Sequence, residues 1–320
     1  MLKGIKLTGA ALITAFVFLT YQYFFNYSWF VLASQCWKYT TNIFGCLSAE
    51  PIEFIADING LRYEGNRGNY IDDHIFYYGV YEKPALFFLR DIMTSAYLDQ
   101  GVFLDIGANT GQHTLFMSRH AKEIHAFEPW APALKRLRRH IEINRLNNVT
   151  IHGFGLGNEN SKQPFYVPPN DNLGMGSFVK ESASLGQAEE LLEIRVGDDV
   201  IAKAGVASVD LIKMDIEGYE RLALSGLERT LRKHRPIVAF ELSANPKSPL
   251  SIKNNEELRS LFPEKYEFLI FSDRSDPMTG TYVLDPISGL LRFDQVEQYD
   301  LVAYPIEKQA FIKRSPQNRE

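Results

Sequence analysis

The stretch GVFLDIGANTGQHTLFMSRH, residues 101–120, decides the fold. An apolar run, Val102 to Ile106, carries Asp105 near its end. A bend bracketed by Gly107 and Gly111 follows, and apolar residues then resume at helical spacing. Strand, glycine-bounded bend and helix in that order form the ligand-holding turn of a parallel α/β sheet, whose sites lie at the carboxyl ends of the strands. The residue types narrow the ligand. A dinucleotide turn needs glycine where Asn109 and Gln112 stand, because its middle glycine lets the backbone approach a pyrophosphate. No Gly-Lys-Ser or Gly-Lys-Thr follows, so a triphosphate cradle is excluded. What fits is a phosphate-free adenosyl compound with a cationic amine, such as S-adenosylmethionine. Asp105 is placed to pair with its ammonium through a charge-assisted bond. Glu128 closes the next apolar run, EIHAFE, and a carboxylate there can accept from both ribose hydroxyls.

Outward from this turn, short apolar runs alternate with helical patterns. Strands are expected at 102–106, 123–128, 149–155, 210–215, 236–242, 266–271 and 301–306, and helices at 111–120, 131–146, 219–233 and 254–261. Such alternation predicts an α/β fold with a mostly parallel sheet and helices on both faces. Before it, PIEFIADINGLRYEG reads as a hairpin turning at Asn59-Gly60, and YIDDHIFYYGVYEKPALFFLRDIM as a helical cap. Residues 156–200, with FYVPP and NLGMGSF, form an excursion suited to covering a site.

Four segments, FLDIGANTG, AFEP, LIKMDIEGYE and IVAFEL, occur in this order and together resemble the FkbM family of S-adenosylmethionine-dependent methyltransferases. The resemblance runs from about residue 53 to 306. It implies a Rossmann-like class I methyltransferase fold, with Asp105, Gly107, Asn109, Gly111 and Glu128 binding the cofactor, and O-methylation of a hydroxyl on a glycan or small molecule. It also places Tyr77, Tyr81 and Glu82, and the Gly174–Phe178 stretch with Ser177, on the acceptor side.

A hydroxyl acceptor must lose its proton, and a general base is worth about 100- to 10,000-fold. Asp215 and Glu217, two apart at the end of DLIKMDIE, share one face if the chain stays extended. Glu241 ends the neighbouring run, and His113 follows the glycine bend. These four are the catalytic candidates. Glu217 has a second reading, as an acid favouring the positive end of the following helix. No spacing is specific for a metal, and none is expected. The run Lys135, Arg136, Arg138, Arg139, His140 reads as a solvated helix face.

Composition is that of a globular protein, 45% hydrophobic and 23% charged, and the net charge of −5 offers no footprint for nucleic acid. Cys36 and Cys46 are the only cysteines, too few for a disulfide framework or a thiolate metal cluster. Residues 7–32 are apolar and aromatic-rich without charge, which predicts a single-pass membrane anchor, with the amino terminus on the cytoplasmic side by charge bias. The expected division is an anchor and stem over 1–46, hairpin and cap over 47–98, a methyltransferase domain over 99–310 and a tail over 311–320. Two other readings remain open: a nucleotide-cofactor enzyme on a similar sheet, and a catalytically silent membrane-anchored binding protein. Binding of S-adenosylmethionine separates them from the first.

Overall fold

The computed structural model describes residues 52–97, 99–167, 174, 176–180, 188–287, 289 and 291–312. Cys36, Cys46 and the apolar stretch 7–32 lie outside them. Against the expected single-pass membrane protein stands one finding: no helix among the described residues is long and apolar enough to cross a bilayer. The longest, Lys83–Tyr97, has 15 residues. At 1.5 Å per residue it reaches about 22 Å, short of a hydrocarbon core of about 30 Å.

Strands β1 (Glu53–Ile58) and β2 (Leu61–Asn66) form the expected hairpin. Asn59 and Gly60 both have positive φ, 54° and 77°, the pair of left-handed residues that a tight two-residue turn requires. The cap is two helices, α1 (Tyr70–Tyr78) and α2 (Lys83–Tyr97), because Gly79 at φ 88° ends the first.

β3 (Val102–Ile106), α3 (Gln112–Met117), β4 (Glu123–Phe127), α4 (Ala131–Ile143) and β5 (Val149–His152) follow in strict alternation. The run expected as one strand over 149–155 breaks after His152; β6 (Gly155–Gly157) leaves the main sheet and joins β7 (Ser161–Tyr166) and β8 (Ala188–Val196) in a three-stranded sheet. That sheet accounts for part of the 156–200 excursion. After it come α5 (Gly197–Lys203), β9 (Leu211–Met214), α6 (Glu220–Gly226), α7 (Glu228–His234), β10 (Ile237–Ala244), α8 (Asn255–Ser260), β11 (Tyr266–Phe271), β12 (Leu284–Pro286) and β13 (Glu297–Pro305). The helix expected over 219–233 is two, joined at Leu227.

The main sheet runs β12-β11-β13-β10-β9-β3-β4-β5. Its pairings from β5 to β10 are parallel, and β13 is antiparallel to both β10 and β11. This is a mixed, Rossmann-like sheet, parallel through its centre with antiparallel strands at one side. Successive strand residues point to opposite faces and feed two cores. Leu104, Ile106, Ile212, Met214, Val238 and Phe240 pack with Leu224, Leu227 and Leu231 of α6 and α7. Phe103, Leu211, Ile237 and Val302 pack on the other side with the hairpin, the cap and α3.

The basic run on α4 is not simply solvated, because the hairpin docks there. Arg136 Nη2 lies 2.9 Å from the fully buried Asp72 carboxylate of α1, which also accepts from the Tyr63 hydroxyl at 2.6 Å. His140 is buried beside the Thr110 carbonyl. Asn148, which opens an Asn-Val-Thr glycosylation sequence, is engaged internally: its amide donates to the carbonyls of Ser118 and Ala121.

Candidate functional site

The strand order reverses at β3: the chain first builds outward through β4 and β5, then returns to add β9 on the other side of β3. A reversal of this kind opens a crevice at the carboxyl ends of the strands. A cavity of about 320 Å³ occupies it.

The glycine bend frames the cavity through its own packing. A Cβ on Gly107 would stand 1.9 Å from the Asp215 carbonyl oxygen, so this glycine lets the bend lie against the end of β9. A Cβ on Gly111 would meet Leu137 of α4 at 2.5 Å; Gly111 itself does not border the cavity. Asn109, at φ 49°, donates its backbone N–H to Glu128 Oε2 at 2.9 Å, and the Trp130 N–H donates to Oε1 at 2.8 Å. Burial raises Glu128 to about 7, with those two bonds opposing. Each of its oxygens keeps a lone pair. Trp130, Phe165 and Phe178 form an aromatic wall nearby.

Asp105 is where the sequence reading needs correction. Its side chain is fully buried and does not border the cavity. Oδ2 accepts from the Thr114 hydroxyl at 2.5 Å, while Oδ1 has no hydrogen-bond partner among the described residues. Asp105 therefore does not offer its carboxylate to the cavity in this conformation.

The other end of the cavity is acidic. Carboxylate oxygens of Asp215, Glu217 and Glu241 lie within 4.8 Å of one another. The chain is not extended here, since Glu217 has φ 54° and Gly218 φ 98°; the turn itself, rather than strand alternation, brings the acids together. Gln298 of β13 donates to Glu241 Oε1 at 2.9 Å and to Glu217 Oε2 at 3.3 Å. Lys213 Nζ lies 2.9 Å from Asp215 Oδ2. Lys213 and Gln298 thus already engage these oxygens, and the positive charge in the cluster is the lysine's. Burial, then Asp215, pushes Glu217 up to about 8. Burial, Asp215 and Glu217 push Glu241 up to about 10. The alternative role for Glu217, at the helix terminus, belongs to Glu220, whose Oε1 accepts from the N–H groups of Ile216 and Gly218.

His113 Nε2 lies 3.4 Å from Glu82 Oε2. Burial drives the imidazole well below its usual range and raises Glu82 to about 8, so the two face each other uncharged at neutral pH. Tyr81 and Glu82 border the cavity, with the Tyr81 backbone held on both sides by the Gln112 amide. Tyr77 does not border it; its hydroxyl accepts from Arg67. Ser177 is also off the cavity, buried, donating to the Glu217 carbonyl at 2.7 Å and accepting from the Val179 N–H. Sequence reasoning missed Lys213 and Gln298. A lysine inside the otherwise apolar LIKM strand was the available signal for the first; nothing local marked the second.

The cavity thus offers an acid with free lone pairs beside an aromatic wall, then an ion pair, then a cluster of carboxyls. That sequence suits a ligand with a diol, a flat ring and a zwitterionic end, placed next to a group that must lose a proton. A family model described as methyltransferase FkbM domain matches residues 105–270. Methyltransferase 1 of Beauveria bassiana is 28% identical over 148 residues, covering 41% of this chain and 59% of that protein. The 2-O-methyltransferase NoeI of Sinorhizobium fredii is 27% identical over 164 residues, covering 46% of this chain and 66% of its own. The chain thus spans less than two thirds of the length of either relative. The crystal structure of methyltransferase FkbM from Methylobacillus flagellatus aligns with a TM-score of 0.39 at 23% identity, over 73% of this chain and 52% of that one.

Proposed function

Given that the chain belongs to the FkbM family of S-adenosylmethionine-dependent methyltransferases, we propose that it methylates a hydroxyl oxygen, on a glycan or a small molecule, with Glu217 and Glu241 taking the proton. The observation that carries this reading is the carboxyl cluster of Asp215, Glu217 and Glu241, the last two accepting from the Gln298 amide, at one end of the cavity that Glu128 borders at the other. Strands β4 and β10, which bring Glu128 and Glu241, stand three places apart. At the usual strand spacing that is about 14 Å across the sheet. A cofactor's length and an acceptor oxygen fit between them.

The cofactor supplies an activated methyl group on a sulfonium. This chain's residues do the rest. Glu128 accepts the diol, and Trp130, Phe165 and Phe178 flank the ring. At the acidic end the Glu217–Glu241 pair would hold the acceptor hydroxyl and take its proton as that oxygen receives the methyl group from the sulfonium. Because nucleophile, methyl and sulfur must be in line, positioning does much of the work. His113 is set aside as the base because burial leaves its imidazole a weak proton acceptor and its Nε2 faces Glu82, and Asp215 is held by Lys213. The Sinorhizobium fredii relative, a 2-O-methyltransferase, supports an oxygen acceptor.

This reading expects a hairpin and helical cap over 47–98 and the methyltransferase unit over 99–310. Tyr81 and Glu82 bring the cap to the acceptor side. The test is transfer of isotope-labelled methyl from S-adenosylmethionine to a panel of hydroxyl-bearing glycans and alcohols, read by mass spectrometry. Label on oxygen supports the proposal. Label confined to nitrogen or carbon acceptors, or no binding of S-adenosylhomocysteine, overturns it.

A further inference from the structure

The enclosure of Asp105 leaves the amino-acid end of the cofactor without its expected partner, and the cavity supplies another. Lys213 is the one lysine or arginine among the described residues that borders the cavity. It sits on β9 in register with Asp105 on β3, yet its ammonium turns to Asp215, 2.9 Å away. Asp215 also borders the cavity, and its carbonyl is the atom against which Gly107 packs. The glycine bend and this ion pair are therefore one surface. A buried, oriented ion pair at a ligand cavity is costly unless its charges are answered on the open side.

We propose that the Lys213–Asp215 pair is the subsite for the cofactor's amino-acid end, Lys213 receiving its α-carboxylate and Asp215 its α-ammonium. The inference rests on the chain being an S-adenosylmethionine-dependent enzyme and deepens that reading. A zwitterion laid beside an ion pair of opposite order meets a complementary charge at each end. The groups facing Lys213 explain why it is a lysine with a buried cationic head. Asp105 lies across from it on β3, Asp215 follows just past the end of β9, and Glu82 and Asp300 complete the acidic surround from the cap and β13. With His113 held neutral, no other cation bordering the cavity can answer a carboxylate. Strand β9, which carries Lys213, also stands between β4, which leads to Glu128, and β10, which carries Glu241.

The experiment is calorimetry on the full chain with three probes: S-adenosylhomocysteine, its decarboxylated analogue, and methylthioadenosine, which lacks the amino acid altogether. The wild type is expected to bind S-adenosylhomocysteine at least about tenfold tighter than the decarboxylated analogue, as charge-assisted bonds of this kind imply. Lys213→Met is expected to abolish that preference while leaving methylthioadenosine affinity unchanged, and Lys213→Arg to retain it. Asp215→Asn is expected to weaken both amine-bearing probes and spare methylthioadenosine. Equal wild-type affinity for the carboxylated and decarboxylated probes overturns the proposal, and so does a preference that survives in Lys213→Met. The wild-type comparison decides the matter even if Lys213→Met fails to fold. Failure of the wild type to bind any of the three is a different result, and it strikes the cofactor reading itself.

Discussion

Glu217 shows what a single side chain contributes. Held at about 8 by burial and by Asp215, it carries its proton at neutral pH and must lose it before it can receive another. The rate of methyl transfer is therefore expected to rise with pH through about 8. Glu217→Gln is expected to lower kcat by about 100-fold or more and remove that rise, with S-adenosylhomocysteine affinity little changed; a pH–rate profile on the acceptor found in the screen checks it, and an unchanged profile in the variant refutes the assignment. Glu128 behaves differently, because each of its oxygens already accepts a backbone N–H. In Glu128→Gln one of those donors faces an amide NH₂ instead of an oxygen. The expected cost is about 1–3 kcal/mol of stability, the penalty of a buried donor left unmade, together with weaker S-adenosylhomocysteine binding, measured by denaturant unfolding and calorimetry. Both acids were legible in the sequence because carboxylates at the ends of apolar runs are conspicuous. Asp105 was equally conspicuous, but its enclosure was not, since that depends on how the bend closes and on Thr114. Gln298 was invisible because its partners, Glu217 and Glu241, are 81 and 57 residues away.

Elements are placed here by close approach of backbones, and the glycines report it. Gly107 and Gly111 have similar φ values, 85° and 93°, so alanine is strained by the backbone at both. They differ in what the added Cβ meets: a carbonyl oxygen at 1.9 Å for Gly107, the end of a leucine side chain at 2.5 Å for Gly111. A leucine terminus can rotate away and a carbonyl fixed in β9's turn cannot. Gly107→Ala is therefore expected to lose more stability than Gly111→Ala by about 1–3 kcal/mol, the usual cost of overpacking, and to lose S-adenosylhomocysteine binding as the bend separates from Asp215; equal losses in urea unfolding count against this account. The strands around this bend were readable from their apolar runs, and YEFLIF at 266–271 matches β11 end to end. The small sheet was not. β7 carries Pro164 and alternates only weakly, and β8 pairs with it across a long intervening segment, so neither periodicity nor turn chemistry announced a strand. The split at Leu227 was missed for a related reason: apolar spacing continues through it while the backbone turns.

At the scale of the whole molecule, the hairpin, the cap and the sheet are bound by polar ties as well as by a shared core. Tyr63, Asp72 and Arg136 link the hairpin, α1 and α4, and the Tyr63 hydroxyl also meets Thr110 in the glycine bend, so the cap is braced on the same loop that frames the cavity. Burial keeps several acids away from water, and this gives the protein a pH signature. Glu82, Glu128 and Glu220 are raised to about 8, 7 and 7 from a reference of 4.5, chiefly by burial. A carboxyl raised on folding binds its proton more tightly in the native state. Its contribution is fully present below the unfolded value of 4.5 and is lost as pH rises through the folded value of about 7 to 8. His113 has the opposite sign: lowered from 6.5 on folding, it favours the native state above that value and loses its contribution as pH falls. Between 6.5 and about 8 only the acids change stability, so the thermal midpoint is expected to fall as pH is raised across that window. Glu220→Gln isolates one share of the slope. The amide oxygen can still accept from the N–H groups of Ile216 and Gly218, as Glu220 Oε1 does, but the side chain no longer titrates. The variant is expected to match the wild type near pH 5, where the acid is protonated anyway, and to unfold at a higher temperature near pH 8.5, with a shallower slope between. Scanning fluorimetry over that range measures it, and parallel curves for the two proteins would mean that Glu220 is not held protonated by the fold.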